Sequence, residues 1–498
     1  MKGKYLLAID QGTSSSRTVI YDHAGTVVAS AQQEFPQIYP QPGWVEHDPE
    51  AIWQSVQAVT ADAMRAAKAG PDDITGVGIT NQRETTVVWD RKTGDVIHNA
   101  IVWQDRRTAD RCDELKAAGA EADVTARTGL KLDPYFSATK LAWLLDNVDG
   151  ARARAEAGEL AFGTIDSFLL WRLTGGSVHA TDATNASRTL LYNVHSLRWD
   201  PDLLALFGIP KSLLPEVRDC AADFGVTDAS LFGGEMPLCG VAGDQQAALI
   251  GQAGLSPGMT KSTYGTGCFV IANTGTEPLA SGNQLLTTIA YQLDGEVTYG
   301  LEGSVFVAGS AIQWLRDSLG IIDSAPETEG IAAATGIVDD VVVVPAFAGL
   351  GAPYWDPHAR GAILGLTRGS GRERIVTATL QSVAYQTHDL IDAMADDGIA
   401  PSVIRVDGGM VANDWFLQFL ADVLGIPVER PRNIESTVLG AAFLAAYQAG
   451  LVDSATAIAN LWESDRLYEP ALSADRRDAL LEGWKRAVLR VRGTNVTI

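Results

Sequence analysis

One pattern constrains this chain more than any other: an apolar run broken by a short Gly/Ser/Thr turn, occurring twice and half a chain apart. The first run, Tyr5-Leu6-Leu7-Ala8-Ile9, ends in Asp10. The polar stretch Gln11-Gly12-Thr13-Ser14-Ser15-Ser16-Arg17 follows, then Thr18-Val19-Ile20-Tyr21. The second begins at Lys261-Ser262-Thr263-Tyr264, turns through Gly265-Thr266-Gly267 and continues as Cys268-Phe269-Val270-Ile271-Ala272. Each predicts a buried strand, a tight turn and a return strand. Glycine lets a backbone approach a ligand closely, and turn N–H groups and hydroxyls can face anionic oxygens. An acid at the strand end can hold Mg²⁺ through waters. Taken singly, either segment also fits an ordinary hairpin with a polar tip. Such a hairpin also suits the phosphates of a magnesium nucleotide, and its recurrence half a chain later shifts the weight towards that reading.

A chain of 498 residues exceeds one ordinary core, so two or more domains are expected. The glycine-flanked segment after Ile250 predicts a boundary there, giving domains 1–250 and 251–498. Helical patterns alternate with short apolar strands, which predicts an α/β fold. Asp48-Pro49 reads as a capped helix start, with Ile52, Val56, Val59 and Ala63 on one face. Ile74 to Thr80 and Thr85 to Trp89 read as strands, which leaves Arg83 and Glu84 in the bend between them. Charges at strand ends can face a ligand crevice or simply be solvated, and both readings stand. Leu238 to Gly243 is a strand ending at Asp244-Gln245-Gln246, where a helix begins. Val403 to Asp407 is a strand running into Gly408-Gly409. Asn413 caps a helix through Leu424, with Gly425 as its stop. Such a glycine pair admits a flat base or ribose against backbone, or is a plain βα turn.

The charge balance excludes some classes. A net charge of −23 and a pI near 4.6 argue against nucleic acid and anionic membranes, which need basic patches. The four cysteines are scattered, with no metal-ligand spacing, as in a reduced cytoplasmic protein. The N-terminal apolar run is too short for a signal peptide, and no run of about 18 apolar residues suggests membrane insertion. Neither a GxxxxGK[ST] loop nor a GxGxxG fingerprint is present.

Several stretches together carry a family resemblance. They are Asp10-Gln11-Gly12-Thr13, Pro42-Gly43-Trp44-Val45-Glu46, Asn81-Gln82-Arg83-Glu84-Thr85, Asp133-Pro134-Tyr135-Phe136-Ser137, Thr184-Asn185-Ala186-Ser187-Arg188-Thr189 and Gly243-Asp244-Gln245-Gln246. Over nearly its whole length the chain resembles the FGGY carbohydrate kinases, and most closely their glycerol-phosphorylating members. The resemblance implies two actin-like (ribonuclease H-like) ATPase domains flanking a catalytic cleft. It also implies transfer of the ATP γ-phosphoryl group to glycerol, giving sn-glycerol 3-phosphate and ADP, the first step of glycerol catabolism. By similarity, Arg83, Glu84, Trp103, Tyr135, Asp244, Gln245 and Phe269 bind glycerol, and Asp244 is the catalytic base. Thr13, Ser14, Ser15, Arg17, Thr266, Gly309, Gln313, Gly409 and Asn413 bind ATP or ADP. Asp10, through water, and Asp244 face Mg²⁺. Gly309 and Gln313 rest on resemblance alone. A cytoplasmic homo-oligomer, dimer or tetramer, is also implied.

Two other readings stay open. Another FGGY sugar kinase would keep Asp10 and Asp244 without needing Arg83, Glu84 and Trp103 together. A non-kinase actin-like ATPase would share the hairpins but need no acceptor base. Regulation in some relatives uses a glycine-rich loop with an arginine that binds fructose 1,6-bisphosphate, or a phosphorylated histidine nearby. Here the loop is Leu231-Phe232-Gly233-Gly234-Glu235-Met236-Pro237, without Arg or Lys, and no histidine lies between Asp219 and Asp244. Neither control is expected through this loop.

Overall fold

The computed structural model describes residues 3–356 and 358–492. Two mixed sheets organise it. The first contains β1 (Tyr5–Gln11), β2 (Ser15–Asp22), β3 (Val27–Glu34), β4 (Ile74–Asn81) and β5 (Leu238–Gly243), in the order β5-β4-β1-β2-β3. β1, β2 and β3 form an antiparallel meander, and β4 and β5 extend the sheet in parallel from β1. The second sheet contains β6 (Thr260–Tyr264), β7 (Cys268–Gly275), β8 (Leu286–Leu293), β9 (Glu296–Val305), β10 (Ile404–Asp407), β11 (Val428–Pro431) and β12 (Ser464–Tyr468). Its order is β8-β9-β7-β6-β10-β11-β12. The hairpin β6–β7 is followed outward by β9, and β10 and β11 lie parallel on the other side. The inner five strands therefore repeat the topology of the first sheet.

The apolar periodicity explains these elements. β1 and β4 are covered on both faces and read as continuous runs, as internal parallel strands do. β3 lies at the edge and is largely exposed. The helix α1 (Pro49–Ala67) begins where Asp48 accepts a hydrogen bond from the Glu50 N–H, with proline in its first turn. It buries Ile52, Val56 and Ala63 in the core of the first sheet, and Val59 on the same face is buried as well. The strand expected over Thr85 to Trp89 is shorter, Val87–Asp90. The Thr85 hydroxyl turns back instead and donates to Gln82 Oε1 at 2.9 Å.

Five further helices position the groups around the sheets' ends. They are α2 (Ser137–Asn147), α3 (Asp244–Gly251), α4 (Gly309–Asp317), α5 (Asp414–Leu424) and α6 (Ser436–Gln448). α5 is capped by Asn413, which accepts from the Phe416 N–H, and stops at Gly425 in the left-handed region. α6 comes late in the chain, yet it packs on β1, β4 and β5 of the first sheet and crosses α3. A Cβ at Gly440 would lie 1.8 Å from the Ala247 carbonyl oxygen, so only glycine allows that crossing. An apolar core joins the two halves there, with Ala8 and Val19 of the first sheet, Leu249 and Ile250 of α3, Ile271 of the second sheet and Leu444 of α6. The two sheets are thus clamped through a helix pair, and their hairpins converge beside it.

Candidate active site

The bend after β4 is buried. Arg83 adopts φ 56°, left-handed backbone that a non-glycine residue rarely occupies. Its side-chain contacts hold it there. Nη1 donates to Glu302 Oε2 at 2.7 Å, and Nη2 donates to Glu302 Oε1 at 3.2 Å and to the Tyr135 hydroxyl at 2.8 Å. Nε lies 3.1 Å from Asp244 Oδ1 and 3.6 Å from Glu84 Oε1. Arg188 closes the ring, with Nε donating to Glu84 Oε1 at 2.7 Å and Nη2 to Glu302 Oε1 at 3.0 Å. Arg83, Arg188, Glu84 and Glu302 are each at most 2 % exposed. Charges buried this deeply need partners, and these four partner one another.

Several elements bring these groups together. β4 delivers Arg83 and Glu84, the turn before α2 delivers Tyr135, and β9 of the second sheet delivers Glu302. Asp244 is the first residue of α3, at the end of β5. There the Gln245 N–H donates to Asp244 Oδ1 at 2.7 Å. A helix N-terminus favours a carboxylate. Gln245, next along, accepts at Oε1 from the buried Lys261 ammonium at 2.5 Å. Trp103 and Phe269 supply apolar walls. The Trp103 ring meets Tyr135 edge-on at 5.6 Å and Phe269 at 6.3 Å, and the Arg83 guanidinium lies 5.8 Å over Phe269. All seven residues of the expected polyol set therefore fall in one neighbourhood.

Both hairpin turns reach this neighbourhood, through Trp103. Trp103 Nε1 donates to Thr13 Oγ1 at 2.9 Å in the first turn, and Phe269 follows the second turn by two residues. The first turn is tight, with the Gly12 N–H donating to the Ser15 carbonyl at 2.9 Å. Ser14 is exposed, and Thr13 and Ser15 are half-buried. Arg17 stands opposite Asp10 in the hairpin and pairs with Glu435 at 2.6 Å, just before α6. In the second turn Thr266 is exposed, and the Gly309 N–H at the start of α4 donates to the Gly265 carbonyl at 2.9 Å. Gln313 is exposed one turn further along α4. Gly408, at φ 91°, passes so close to the Tyr264 carbonyl that a Cβ would lie 2.5 Å from it. This brings Gly409 and Met410 beside the same turn. Space is open around Gly409, and Asn413 ends the segment as the cap of α5.

Electrostatics divides the carboxylates. Burial pushes Asp10 up to about 7, and the negative charge of Asp244 adds to this against the pull of Arg17. Burial also raises Asp244, with Arg83 opposing. For Glu302, burial acts upward but Arg188 and Arg83 outweigh it and hold the carboxyl below its ordinary value. Burial lowers Lys261 to about 8 despite Asp407, Asp244 and Glu302 nearby.

Sequence reasoning assigned no role to Arg188, Glu302 or Lys261. Glu302 carried a signal: it is an acid between Leu301 and Gly303 in the middle of a strand-like run, where a charge demands a partner if the strand is buried.

Comparison with known proteins bears on this arrangement. Residues 5–251 match the N-terminal domain model of the FGGY family of carbohydrate kinases, and residues 260–449 match its C-terminal domain model. The chain is 62% identical to glycerol kinase 1 of Pseudomonas aeruginosa over 98% of its length and 99% of that protein's. It is 59% identical to the glycerol kinase of Rhodospirillum centenum over 98% of each. Among solved structures, Plasmodium falciparum glycerol kinase with ADP superposes with a TM-score of 0.91 at 36% identity, covering 98% of each chain. A gluconate kinase from Lactobacillus acidophilus superposes at 0.89 with 23% identity, covering 99% of each, and shares the fold.

Proposed function

This chain belongs to the FGGY family of carbohydrate kinases, and we propose that it transfers the γ-phosphoryl group of ATP to the 3-hydroxyl of glycerol, giving sn-glycerol 3-phosphate and ADP. The observation that carries this reading is the Arg83 guanidinium in contact with Tyr135 and Asp244, walled by Trp103 and Phe269. A three-carbon polyol has hydroxyls on one side and C–H groups on the other. Donors and acceptors in a fixed array suit the first, and aromatic rings suit the second. The full-length identity to glycerol kinases supports the same acceptor.

In this reading Arg83, Glu84, Tyr135 and Gln245 orient the hydroxyls. Asp244 accepts the proton of the attacking hydroxyl, and burial, which raises its carboxyl, makes it a stronger base than an exposed aspartate. The oxygen forms a bond to the γ-phosphorus, the bond from that phosphorus to the β–γ bridging oxygen breaks, and ADP leaves with the electron pair. Alignment and charge stabilisation do most of the work in such a transfer. Thr13, Ser14, Ser15 and Arg17 would line the phosphates from one side and Thr266 from the other. Gly309, Gln313, Gly409 and Asn413 would hold the nucleoside. The donor set fits Mg²⁺: Asp10 and Asp244 are hard oxygen ligands whose mutual repulsion a cation relieves. No cluster of three or more metal-ligating side chains occurs among the described residues, which suits an ion held mainly by water and phosphate oxygens. Bound there, Mg²⁺ would neutralise charge on the β- and γ-phosphates.

We assign polyol and phosphate binding to residues 1–250 and nucleotide binding to residues 251–498, with Phe269 reaching the polyol from the second part. A cytoplasmic homo-oligomer is part of the same proposal. No described helix is long and apolar enough to cross a membrane. The test is coupled detection of ADP release from ATP with glycerol, xylulose or gluconate. Glycerol-dependent release supports the reading, and release that favours another acceptor, or ignores all three, refutes it.

A further inference from the structure

Glu302 reaches the pocket from the second sheet and lies against the same guanidinium that faces the polyol. Of the five N–H bonds of a guanidinium, two point from Arg83 to the Glu302 oxygens, one to the Tyr135 hydroxyl, and Nε faces Asp244. Among the described residues a single Nη1–H is left. The paired Nη edge is the surface that grips carboxylates and phosphates bidentately, and here it is occupied from within. Arg188 fixes the occupant, donating to both Glu84 and Glu302. A neutral hydroxyl needs one donor. A carboxylate needs the fork, and would approach Glu302, Glu84 and Asp244 at close range.

We propose that Glu302 is a specificity-determining residue: by saturating the Arg83 fork it confines the pocket to uncharged polyols and rejects carboxylated ones, with Arg188 as the residue that positions it. The proposal rests on the polyol kinase reading and deepens it. It also means that a charged side chain of the second half, and not only the Phe269 ring, takes part in acceptor selection.

The informative probe is D-glycerate, which is glycerol with one terminal CH₂OH replaced by a carboxylate. Wild type, Glu302→Gln and Glu302→Ala, all full-length, are titrated calorimetrically with glycerol and with D-glycerate in the absence of nucleotide. Folding is checked by circular dichroism. Wild type is expected to bind D-glycerate at least about a hundredfold more weakly than glycerol. Each variant is expected to gain about tenfold or more in D-glycerate affinity while glycerol affinity falls. A general packing defect would weaken both ligands and leave their ratio alone, so the ratio is the readout. Glu302→Gln keeps the side chain's volume and one acceptor, so it carries the test by itself should Glu302→Ala not fold. Equal affinity of wild type for the two ligands overturns the proposal, as does an unchanged ratio in a folded variant. The kinase reading fails separately, if wild type releases no ADP with glycerol and ATP, because the ratio is measured without nucleotide.

Discussion

Arg83→Ala exposes the logic of the buried charge ring. The change removes one cation from a set in which two arginines face two glutamates, all four nearly inaccessible to water. Arg188 would then be the one guanidinium bonded to Glu84 and Glu302, with the Lys261 ammonium adding only a longer-range pull on Glu302, so a direct buried ion-pair partner is lost. Breaking a buried pair by deleting one partner costs about 3–5 kcal/mol. Alanine carries the same left-handed backbone cost as arginine at this φ, so the strain offsets little and net destabilisation of a few kcal/mol is expected. The loss depends on pH. In wild type Glu302 titrates below its ordinary value, so its stabilising contribution is present above the unfolded pKa and is lost as pH falls through the depressed one. Without Arg83 the carboxyl rises instead. The folded variant therefore takes up its proton at a higher pH than folded wild type does, and the gap between the two narrows as pH falls. Urea unfolding of wild type and variant at about pH 8 and about pH 5.5 should show the gap narrowing at the lower value. Glycerol affinity, measured calorimetrically, should also drop by about one to two decades, the value of a charge-assisted hydrogen bond. A stability difference under about 1 kcal/mol that is the same at both pH values would refute the argument.

Three further outcomes are expected. Asp244→Asn should lower kcat for glycerol by about 10²–10⁴-fold with the melting temperature held; wild-type turnover would remove it from the role of base. Glycerol with a non-hydrolysable ATP analogue should reduce the radius of gyration in small-angle scattering, because turns from both halves must meet one nucleotide; no change with both ligands would count against closure. Fructose 1,6-bisphosphate titrated to millimolar levels should leave activity unaffected, since the exposed Glu235 in the 231–237 segment stands where a cation would be wanted. Strong inhibition that a bulky residue at position 234 abolishes would contradict this.

Local chemistry was legible in the sequence. Asp48 and Asn413 announced their helices because a cap acts within three residues, and Gly425 marked a stop for the same reason. The two hairpins were legible because each carries its own turn residues between apolar runs. The bend at Arg83 and Glu84 was not decidable locally. Its burial depends on Arg188 and Glu302, more than a hundred residues away, and pairing at that distance leaves no periodic trace. The nucleoside segment was half legible. The Gly408-Gly409 turn showed itself, whereas Gly309 is required because α4 starts hard against the Gly265 carbonyl, a contact between separate elements. α6 was the least expected in its placement. Its apolar character reads as core, but not as core of the first sheet, because its neighbours there lie far earlier in the chain.

Whether the site joins ATP chemistry to a polyol hydroxyl is tested most directly by phosphorus NMR of the products from wild type with ATP, Mg²⁺ and glycerol. The stereochemistry is read by a dehydrogenase specific for sn-glycerol 3-phosphate. One sn-glycerol 3-phosphate is expected for each ADP formed. ADP accompanied by inorganic phosphate, with no glycerol phosphate, would contradict the assignment.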